Sequence, residues 1–134
     1  MDDIFVARLM TTDLQTVGPD ALVEDAAERM QTHGVGSLVV VDEGGGLAGI
    51  LTTTDFVDVV ARSKPKAETT VGRYMTTDVV TTHAQASIRE AADAMMEHGF
   101  HHLPVVDEEE GVIGMVTTTD LAAYLSTVQT PSPA

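Results

Sequence analysis

Apolar residues recur at three- and four-residue spacing in two stretches of the chain, residues 23–30 and 88–95. This spacing places the apolar side chains on one face of a helix, so each stretch predicts an amphipathic helix. Gly34 and Gly99 follow these stretches. They predict where the helices end, because glycine adopts positive φ without steric cost.

Valine-rich apolar runs follow each predicted helix, at residues 38–41 and 103–106. Runs of this length and composition predict buried strands. A glycine-rich or acidic turn comes next, and a second apolar run completes a hairpin in each half. Short extended segments precede the helices, and a closing helix follows each hairpin. The remaining predicted elements are extended segments at 16–17 and 81–82, second hairpin strands at 47–51 and 112–116, and closing helices at 55–61 and 120–126.

Polar residues in front of the two amphipathic helices predict their N-caps. Asp20 is expected to cap the first helix, because a carboxylate accepts hydrogen bonds from the open N–H groups of a first turn. Ser87 and Glu90 fit a capping box, in which each side chain bonds the backbone N–H of the other residue. The sequence therefore predicts a better-defined start for the second helix.

The two halves of the chain are copies of one another. Residues 10–13 and 75–78 both read Met-Thr-Thr-Asp, an offset of 65. At this offset, residues 8–60 match residues 73–125 without a gap, with 23 identities in 53 positions. The chain is therefore a tandem duplication of a β-α-β-β-α unit, of the α+β class. One such unit buries little apolar surface alone, so we expect the two to pack as a pseudo-two-fold pair in one compact module.

The duplication predicts a division of the chain into units. The first unit is expected at residues 1–62, including an N-terminal helix, and the second at residues 73–126. Residues 63–72 contain proline and several polar residues and are expected to form a linker. Residues 127–134 are expected to be a disordered tail.

Charge excludes several classes of partner. The 134 residues include 7 Lys and Arg against 21 Asp and Glu, for a formal net charge of −14. Nucleic acid and anionic membranes would be repelled, so neither is an expected partner. Lysine occurs only as Lys64 and Lys66. The composition resembles that of proteins from a very salty cytoplasm, where self-repulsion is screened; an ordinary acidic protein is the alternative.

The compartment is predicted from other absences in the sequence. No apolar run approaches the about 18 residues that a membrane span needs, and the acidic N-terminus does not read as a signal peptide. Cysteine is absent, which excludes disulfides and thiolate metal sites. A cytoplasmic location is the default expectation.

The repeated motifs resemble those of the tandem CBS-domain family, whose pairs are called Bateman modules. The resemblance rests on Leu-Met-Thr, Asp/Glu-Ala-Ala-x-x-Met, Leu-x-Val-Val-Asp and Gly-x-x-Thr-x-x-Asp, which occur in this order over about residues 5–126. It implies a regulatory module that binds AMP, ADP, ATP or S-adenosylmethionine in clefts between the two units. It also implies a homodimer formed through the helices. Because almost nothing of the chain lies outside the pair, we expect its output to pass through a separate protein partner.

The family's Gly-x-x-Thr-x-x-Asp pattern occurs in full at residues 49–55 and 114–120. A strand that enters a helix here offers backbone N–H groups and a partial positive charge to a phosphate. Thr52 and Thr117 could donate hydroxyl hydrogen bonds, and Asp55 and Asp120 could accept from the ribose hydroxyls. The structural alternative is that each Thr-x-x-Asp only caps its helix, and the two roles are compatible.

The resemblance assigns further ligand contacts at the strand that follows each amphipathic helix. In some family members a His-Arg pair before this strand contacts phosphate, and His101 and His102 occupy those positions here. A neutral imidazole lacks the bidentate guanidinium, which weakens a phosphate role. A metal cluster with His98 is an alternative, but no carboxylate completes an obvious set. The other predicted ligand contacts are Gly36, Ser37 and Leu38 in the first half, Pro104 beside adenine in the second, and Thr16, Val17 and Thr81 on the extended segments.

No enzymatic motif accompanies these residues. The chain contains no nucleophile pattern, Walker loop or His-Glu-x-x-His sequence, so we expect no catalytic residues, no metal and no required cofactor. A module that only oligomerises or docks a partner, without a ligand, is the competing function. The closing helices carry more apolar surface than one small pair buries, which predicts a dimer seam. Its expected residues are Phe56, Val59, Val60, Leu121, Tyr124 and Leu125.

Overall fold

The computed structural model of the chain describes residues 4–62 and 68–128. These residues form six helices and five strands. In chain order they are α1 Val6–Leu9, β1 Thr16–Val17, α2 Val23–His33, β2 Ser37–Val41, β3 Leu47–Thr52, α3 Thr53–Arg62, α4 Val71–Tyr74, α5 Ile88–His98, β4 His102–Asp107, β5 Gly111–Thr117 and α6 Thr118–Val128.

The chain divides into two compact units, and each combines helices with a β-hairpin. We call residues 13–79 the first unit, and residues 1–12 together with 80–134 the second unit. The mixed α+β class and the two copies of one fold, as predicted, are confirmed.

The first unit is built on a three-stranded sheet of order β1-β2-β3. Strand β1 pairs parallel to β2, and β2 pairs antiparallel to β3. The apolar face of α2 packs on this sheet. The buried side chains of α2, Val23, Ala26 and Met30, are ones that the three- and four-residue spacing placed on one face. The buried core consists of Val23, Ala26, Met30, Leu38, Val40, Leu51, Val59 and Val71.

The second unit repeats this arrangement with a two-stranded sheet of β4 and β5. The predicted extended segment at 81–82 forms only an isolated parallel bridge between Thr82 and Val105, in the place that β1 takes in the first unit. The buried core consists of Val6, Ala84, Ala91, Met95, Leu103, Val105 and Val116.

The N-terminal helix packs on the second half of the sequence, not on the first as expected. Val6 is fully buried in the core of the second unit. Its N–H donates to the carbonyl of Ala86 at 2.8 Å, and the N–H of Ile88 donates to the carbonyl of Ile4 at 2.9 Å. Val6 thereby fills in the second core the place that its repeat equivalent, Val71, fills in the first, and burying this apolar side chain stabilises the packing.

The equivalent segment at residues 68–74 packs on the first half. Val71 is fully buried there and donates its N–H to the carbonyl of Ala21 at 2.8 Å. Residues 68–72 are therefore part of the first unit, and the expected linker does not include them. Residues 63–67 lie outside the described residues. Helix α6 extends to Val128, so the expected tail does not begin at 127, and residues 129–134 lie outside the described residues.

Three of the four predicted helix caps are confirmed. Ser87 and Glu90 form the expected capping box. Gly34 and Gly99 end their helices with φ of 65° and 71°. The Asp20 cap is wrong: α2 begins at Val23 after Leu22, which has no side-chain cap.

One residue of the expected dimer seam is also wrong. Val59 is 4% exposed and belongs to the core of the first unit, because it lies on the face of α3 that packs on the sheet. Val60 and Leu125 are exposed, as a seam requires.

Candidate ligand-binding sites

The first candidate site lies where β3 enters α3. Asp55, in the first turn of α3, accepts the N–H of Thr52 on Oδ2 at 2.9 Å and the Thr52 hydroxyl on the same oxygen at 3.3 Å. The carboxylate thus caps its own helix, which is the structural alternative raised by the sequence. Asp55 as a whole residue is half-buried.

The second candidate site repeats this turn where β5 enters α6. Asp120 Oδ2 accepts the N–H of Thr117 at 2.9 Å, and Thr117 Oγ1 accepts the N–H of Asp120 at 3.1 Å. These two bonds form a complete capping box. The two Thr-x-x-Asp turns therefore share a carboxylate position but differ in the role of the threonine hydroxyl.

Thr76 is a site residue that the sequence analysis did not identify. Its hydroxyl donates to Asp55 Oδ1 at 3.2 Å, across 21 residues of sequence. The signal was present in the sequence, because Thr76 belongs to the repeated Met-Thr-Thr-Asp. From that motif the sequence predicted the duplication and part of the family resemblance, but no contact with Asp55.

Glycine in the Gly-x-x-Thr-x-x-Asp motif allows Thr76 to approach. A Cβ placed on Gly49 would lie 2.7 Å from the carbonyl oxygen of Thr76, closer than real Cβ contacts. The backbones of Ile50 and Thr76 exchange hydrogen bonds of 3.0 and 2.9 Å. A Cβ placed on Gly114 would lie 2.8 Å from Met10 Sδ and 3.1 Å from the carbonyl oxygen of Thr11. The first residue of the motif is therefore a glycine because a larger side chain would collide with the neighbouring segment. The sequence alone did not predict this packing role.

The structure brings most of the predicted residues of the first half to one end of the sheet, where β2 begins and β3 ends. Ser37 pairs with Thr52, and the carbonyl of Gly36 accepts the N–H of Thr53 at 3.2 Å. Thr16 and Val17 lie on the neighbouring strand, opposite Val39 and Val40. The side chain of Leu38 is fully buried in the core, so only its backbone could contact a ligand.

The second half repeats this arrangement with different side chains. His102 pairs with Thr117, and the carbonyl of His101 accepts the N–H of Thr118 at 3.0 Å. Pro104 is fully buried, and its carbonyl accepts the N–H of Thr82 at 3.0 Å. Thr81 is exposed beside this bridge. In both units the first backbone N–H of the closing helix is thus already bonded, which leaves fewer donors for a phosphate than expected.

His102 is the titratable residue with a shifted pKa in this region. Burial lowers the pKa of His102 below its ordinary 6.5, the neighbouring His101 lowers it further, and the carboxylate of Asp120 acts in the opposite direction. Its Nδ1 is buried and has no hydrogen-bond partner in the described part of the chain. The imidazole is therefore neutral at pH 7, which argues against a phosphate role that depends on its charge.

Residues 4–62 and 68–128 contain neither a metal-ligand cluster nor a membrane-spanning helix. No group of three or more His, Asp or Glu side chains in these ranges could hold a metal ion, and the histidines near His98 do not form one. No helix in the same ranges has the length and apolar character to cross a membrane.

An apolar groove of about 300 Å³ lies between the end of α2 and the start of α3 in the first unit. Its lining includes Met30, Gly34, Val35 and Phe56. None of the predicted ligand contacts lines this groove, but its lining includes Thr53, whose N–H donates to the carbonyl of Gly36.

Comparison with known proteins agrees with the duplicated motifs. The CBS domain profile matches residues 6–62 and again residues 71–127. The chain belongs to the CBS-domain family. CBS-domain pairs are generally regulatory and not catalytic.

Among its relatives, the chain is 35% identical over 125 residues to an uncharacterised 17.7 kDa protein of Acidianus ambivalens, covering 93% of this chain and 75% of the relative. It is 34% identical over 117 residues to the CBS domain-containing protein YhcV of Bacillus subtilis, covering 87% and 82%. Among solved structures it resembles the CBS domain pair of protein MJ0100, with a TM-score of 0.88, 26% identity and coverage of 96% and 100%. That pair was solved in complex with 5′-methylthioadenosine and S-adenosyl-L-methionine.

Proposed function

We propose that this CBS pair senses an adenosyl ligand and signals to a separate protein partner. The observation that carries the proposal is the same in both units. The residues that begin the first hairpin strand and the Thr-x-x-Asp turn that ends the second lie at the same end of the sheet. In this proposal the carboxylate accepts the ribose hydroxyls, and the backbone of the neighbouring extended segment bonds adenine. The MJ0100 pair, which has the same fold, binds two adenosyl compounds.

Charge favours adenosyl ligands that carry few negative charges. None of the proposed contacts in either unit is a lysine or an arginine, and His102 is neutral at pH 7 because its pKa is lowered. The net charge of −14 repels polyphosphates. Among the candidate ligands, S-adenosylmethionine therefore fits better than AMP, ADP or ATP.

Calorimetric titration with S-adenosylmethionine, 5′-methylthioadenosine, AMP and ATP tests the proposal. We expect binding by at least the first two, and loss of it in the double variant Asp55→Ala with Asp120→Ala. A hydrogen bond to a charged group contributes about 1.5–3 kcal/mol, so each site should weaken by at least about tenfold.

A second duplicated pair of aspartates provides the matched control. Asp42 accepts the N–H groups of Gly44 and Gly46, and Asp107 those of Glu109 and Glu110, in exposed turns away from the motif. Asp42→Ala with Asp107→Ala removes comparable local hydrogen bonds and should leave binding unchanged. Undiminished binding in the Asp55 and Asp120 variant would rule out these sites.

A docking module that works without a ligand is the second candidate function. The two helix caps favour this docking function, because Asp55 and Asp120 already accept hydrogen bonds that stabilise their helices without a ligand. The same titration separates the two functions. A folded protein that gives no heat with any of the four compounds would support docking and contradict ligand sensing.

We also propose a cytoplasmic homodimer that associates through its helices. Val57 and Val60 on α3 are each 67% exposed, and Met96 on α5 is 82% exposed. Exposed apolar side chains on helices support an interface between copies. Light scattering in molar salt should give twice the mass of the chain, and Val57→Glu with Val60→Glu should shift it to the monomer. A monomeric parent protein would contradict the dimer.

A further inference from the structure

The two proposed ribose acceptors carry different numbers of hydrogen bonds from the protein. Asp55 accepts three, from the N–H and hydroxyl of Thr52 on Oδ2 and from the hydroxyl of Thr76 on Oδ1. Among residues 4–62 and 68–128, Asp120 accepts one, from the N–H of Thr117 on Oδ2. The motif is identical in both halves, so the difference is one of conformation.

The number of bonds decides how much of each carboxylate is open to a ligand. An ionised carboxylate offers about four acceptor positions. Three are used at Asp55, which leaves about one, whereas about three remain at Asp120. A ribose presents two neighbouring hydroxyls, and only Asp120 can accept both without losing a bond to the protein.

The difference arises from two threonine hydroxyls. Thr117 Oγ1 accepts the N–H of Asp120 and so does not occupy its carboxylate, whereas Thr52 Oγ1 donates to Asp55. The half-buried Thr76 reaches Asp55, while its counterpart Thr11 is exposed and makes no such bond to Asp120 within the described residues. The hydrogen bond from Thr76 to Asp55 is thus the main difference between the first site and the second.

A second open polar group lies near Asp120. Nδ1 of His102 is buried and without a partner in the described ranges. Buried polar atoms in folded proteins nearly always have a partner, so an unpaired one marks a place where a polar ligand or water binds. His102 pairs with Thr117 across the hairpin, and the N–H of Thr117 donates to Asp120 Oδ2, so His102 lies beside the Asp120 turn. The equivalent residue of the first unit is Ser37, which has no such buried unpaired atom.

From these contacts we infer that the two sites are unequal: an adenosyl ligand binds first at Asp120, and Thr76 is a positioning residue that holds Asp55 and weakens its site. The inference rests on the proposed function, because it concerns the same two carboxylates. It adds the order of binding and the residue that sets it.

Single-site variants measure the two affinities separately. Asp55→Ala leaves the Asp120 site, and Asp120→Ala leaves the Asp55 site. The probe is 5′-methylthioadenosine, which has both ribose hydroxyls and no phosphate. One net hydrogen bond changes affinity by about three- to tenfold. The Asp55→Ala protein should bind the probe tighter than the Asp120→Ala protein by at least this factor.

Removing the Thr76 hydroxyl tests the positioning role directly. In the Asp120→Ala background, Thr76→Val frees one acceptor position on Asp55 and should strengthen binding by about three- to tenfold. Thr76→Ser keeps the hydroxyl and should not strengthen it. Thr11→Val in the Asp55→Ala background is the matched control and should change nothing. A structural role alone would weaken binding, so the sign of the change separates the two roles.

Thermal melting checks that each variant folds, and Thr76→Ala replaces Thr76→Val if valine prevents folding. Equal affinities of the two single-site variants would overturn the inference, and so would unchanged or weaker binding in both hydroxyl-free variants. Absence of binding by the parent protein would instead overturn the proposed function, and the inference with it. The two failures are therefore distinguishable.

Discussion

At the scale of single residues, identical side chains in the two halves make different contacts. Thr52 and Thr117 occupy the same position of the same motif, but one hydroxyl donates to the following aspartate and the other accepts from its backbone. A threonine hydroxyl can do either, because it is both a donor and an acceptor. Sequence identity between the repeats therefore does not imply identical sites.

His102 leads to a prediction on pH. Because its pKa in the folded chain lies below 6.5, mainly through burial, the unfolded chain binds a proton that the folded chain does not. This contribution to the free energy of unfolding is fully present above pH 6.5 and is lost as the pH falls toward the lowered pKa. Urea unfolding at several pH values measures it.

The variant His102→Ser, which installs the residue of the first half, should reduce this loss of stability below pH 6.5. His33→Ser is the control, because His33 is exposed at a helix end and should leave the loss in place. Equal pH dependence of the parent protein and the His102→Ser variant would show that His102 is not responsible.

At the scale of elements, short segments exchange between the halves. The segment of α1 completes the core of the second unit and the segment of α4 that of the first, each through one fully buried valine. The second unit is thus assembled from two distant parts of the sequence, whereas the first unit is one continuous range, residues 13–79. This arrangement makes the stability of the second half depend on residues more than 70 positions away.

Val6→Ala tests this dependence. The substitution leaves a cavity in a fully buried site, so the free energy of unfolding should fall by about 1–3 kcal/mol. Hydrogen exchange should show the loss at β4 and β5, which belong to the same core. Phe5→Ala is the matched control, because Phe5 is 51% exposed, and it should cost much less. Loss of protection confined to residues 13–79 would contradict the assignment of α1 to the second unit.

At the scale of the whole molecule, the acidic surface has few compensating charges. Within residues 4–62 and 68–128, Arg62 forms an ion pair with Asp58 at 4.0 Å. Both side chains are largely exposed. Such a pair contributes little. Self-repulsion among 21 acidic residues therefore opposes folding when salt is low.

We expect the melting temperature to rise steeply between low salt and molar KCl, because the Debye length falls to about 3 Å at 1 M. Differential scanning fluorimetry over a salt series measures this rise. Sucrose at matched osmolality is the control and should not reproduce it, because sucrose does not screen charge. A melting temperature independent of salt would contradict adaptation to a salty cytoplasm.

The sequence alone determined the duplication, the α+β class, most helices and strands, the glycine helix ends and the Ser87 capping box. These features are local or repeat at a fixed offset, so spacing and residue type are sufficient to predict them. The positions of Asp55 and Asp120 at the strand-to-helix turns followed from the same motifs.

Only the tertiary structure decided which half α1 packs on, the contact of Thr76 with Asp55, the burial of Val59 and the reason for Gly49. Each depends on which distant segment fills a core or approaches a backbone. Identical repeats offer two equivalent partners for such a segment, so the pattern along the chain cannot choose between them. The choice depends on packing, which brings together residues that are distant in the sequence.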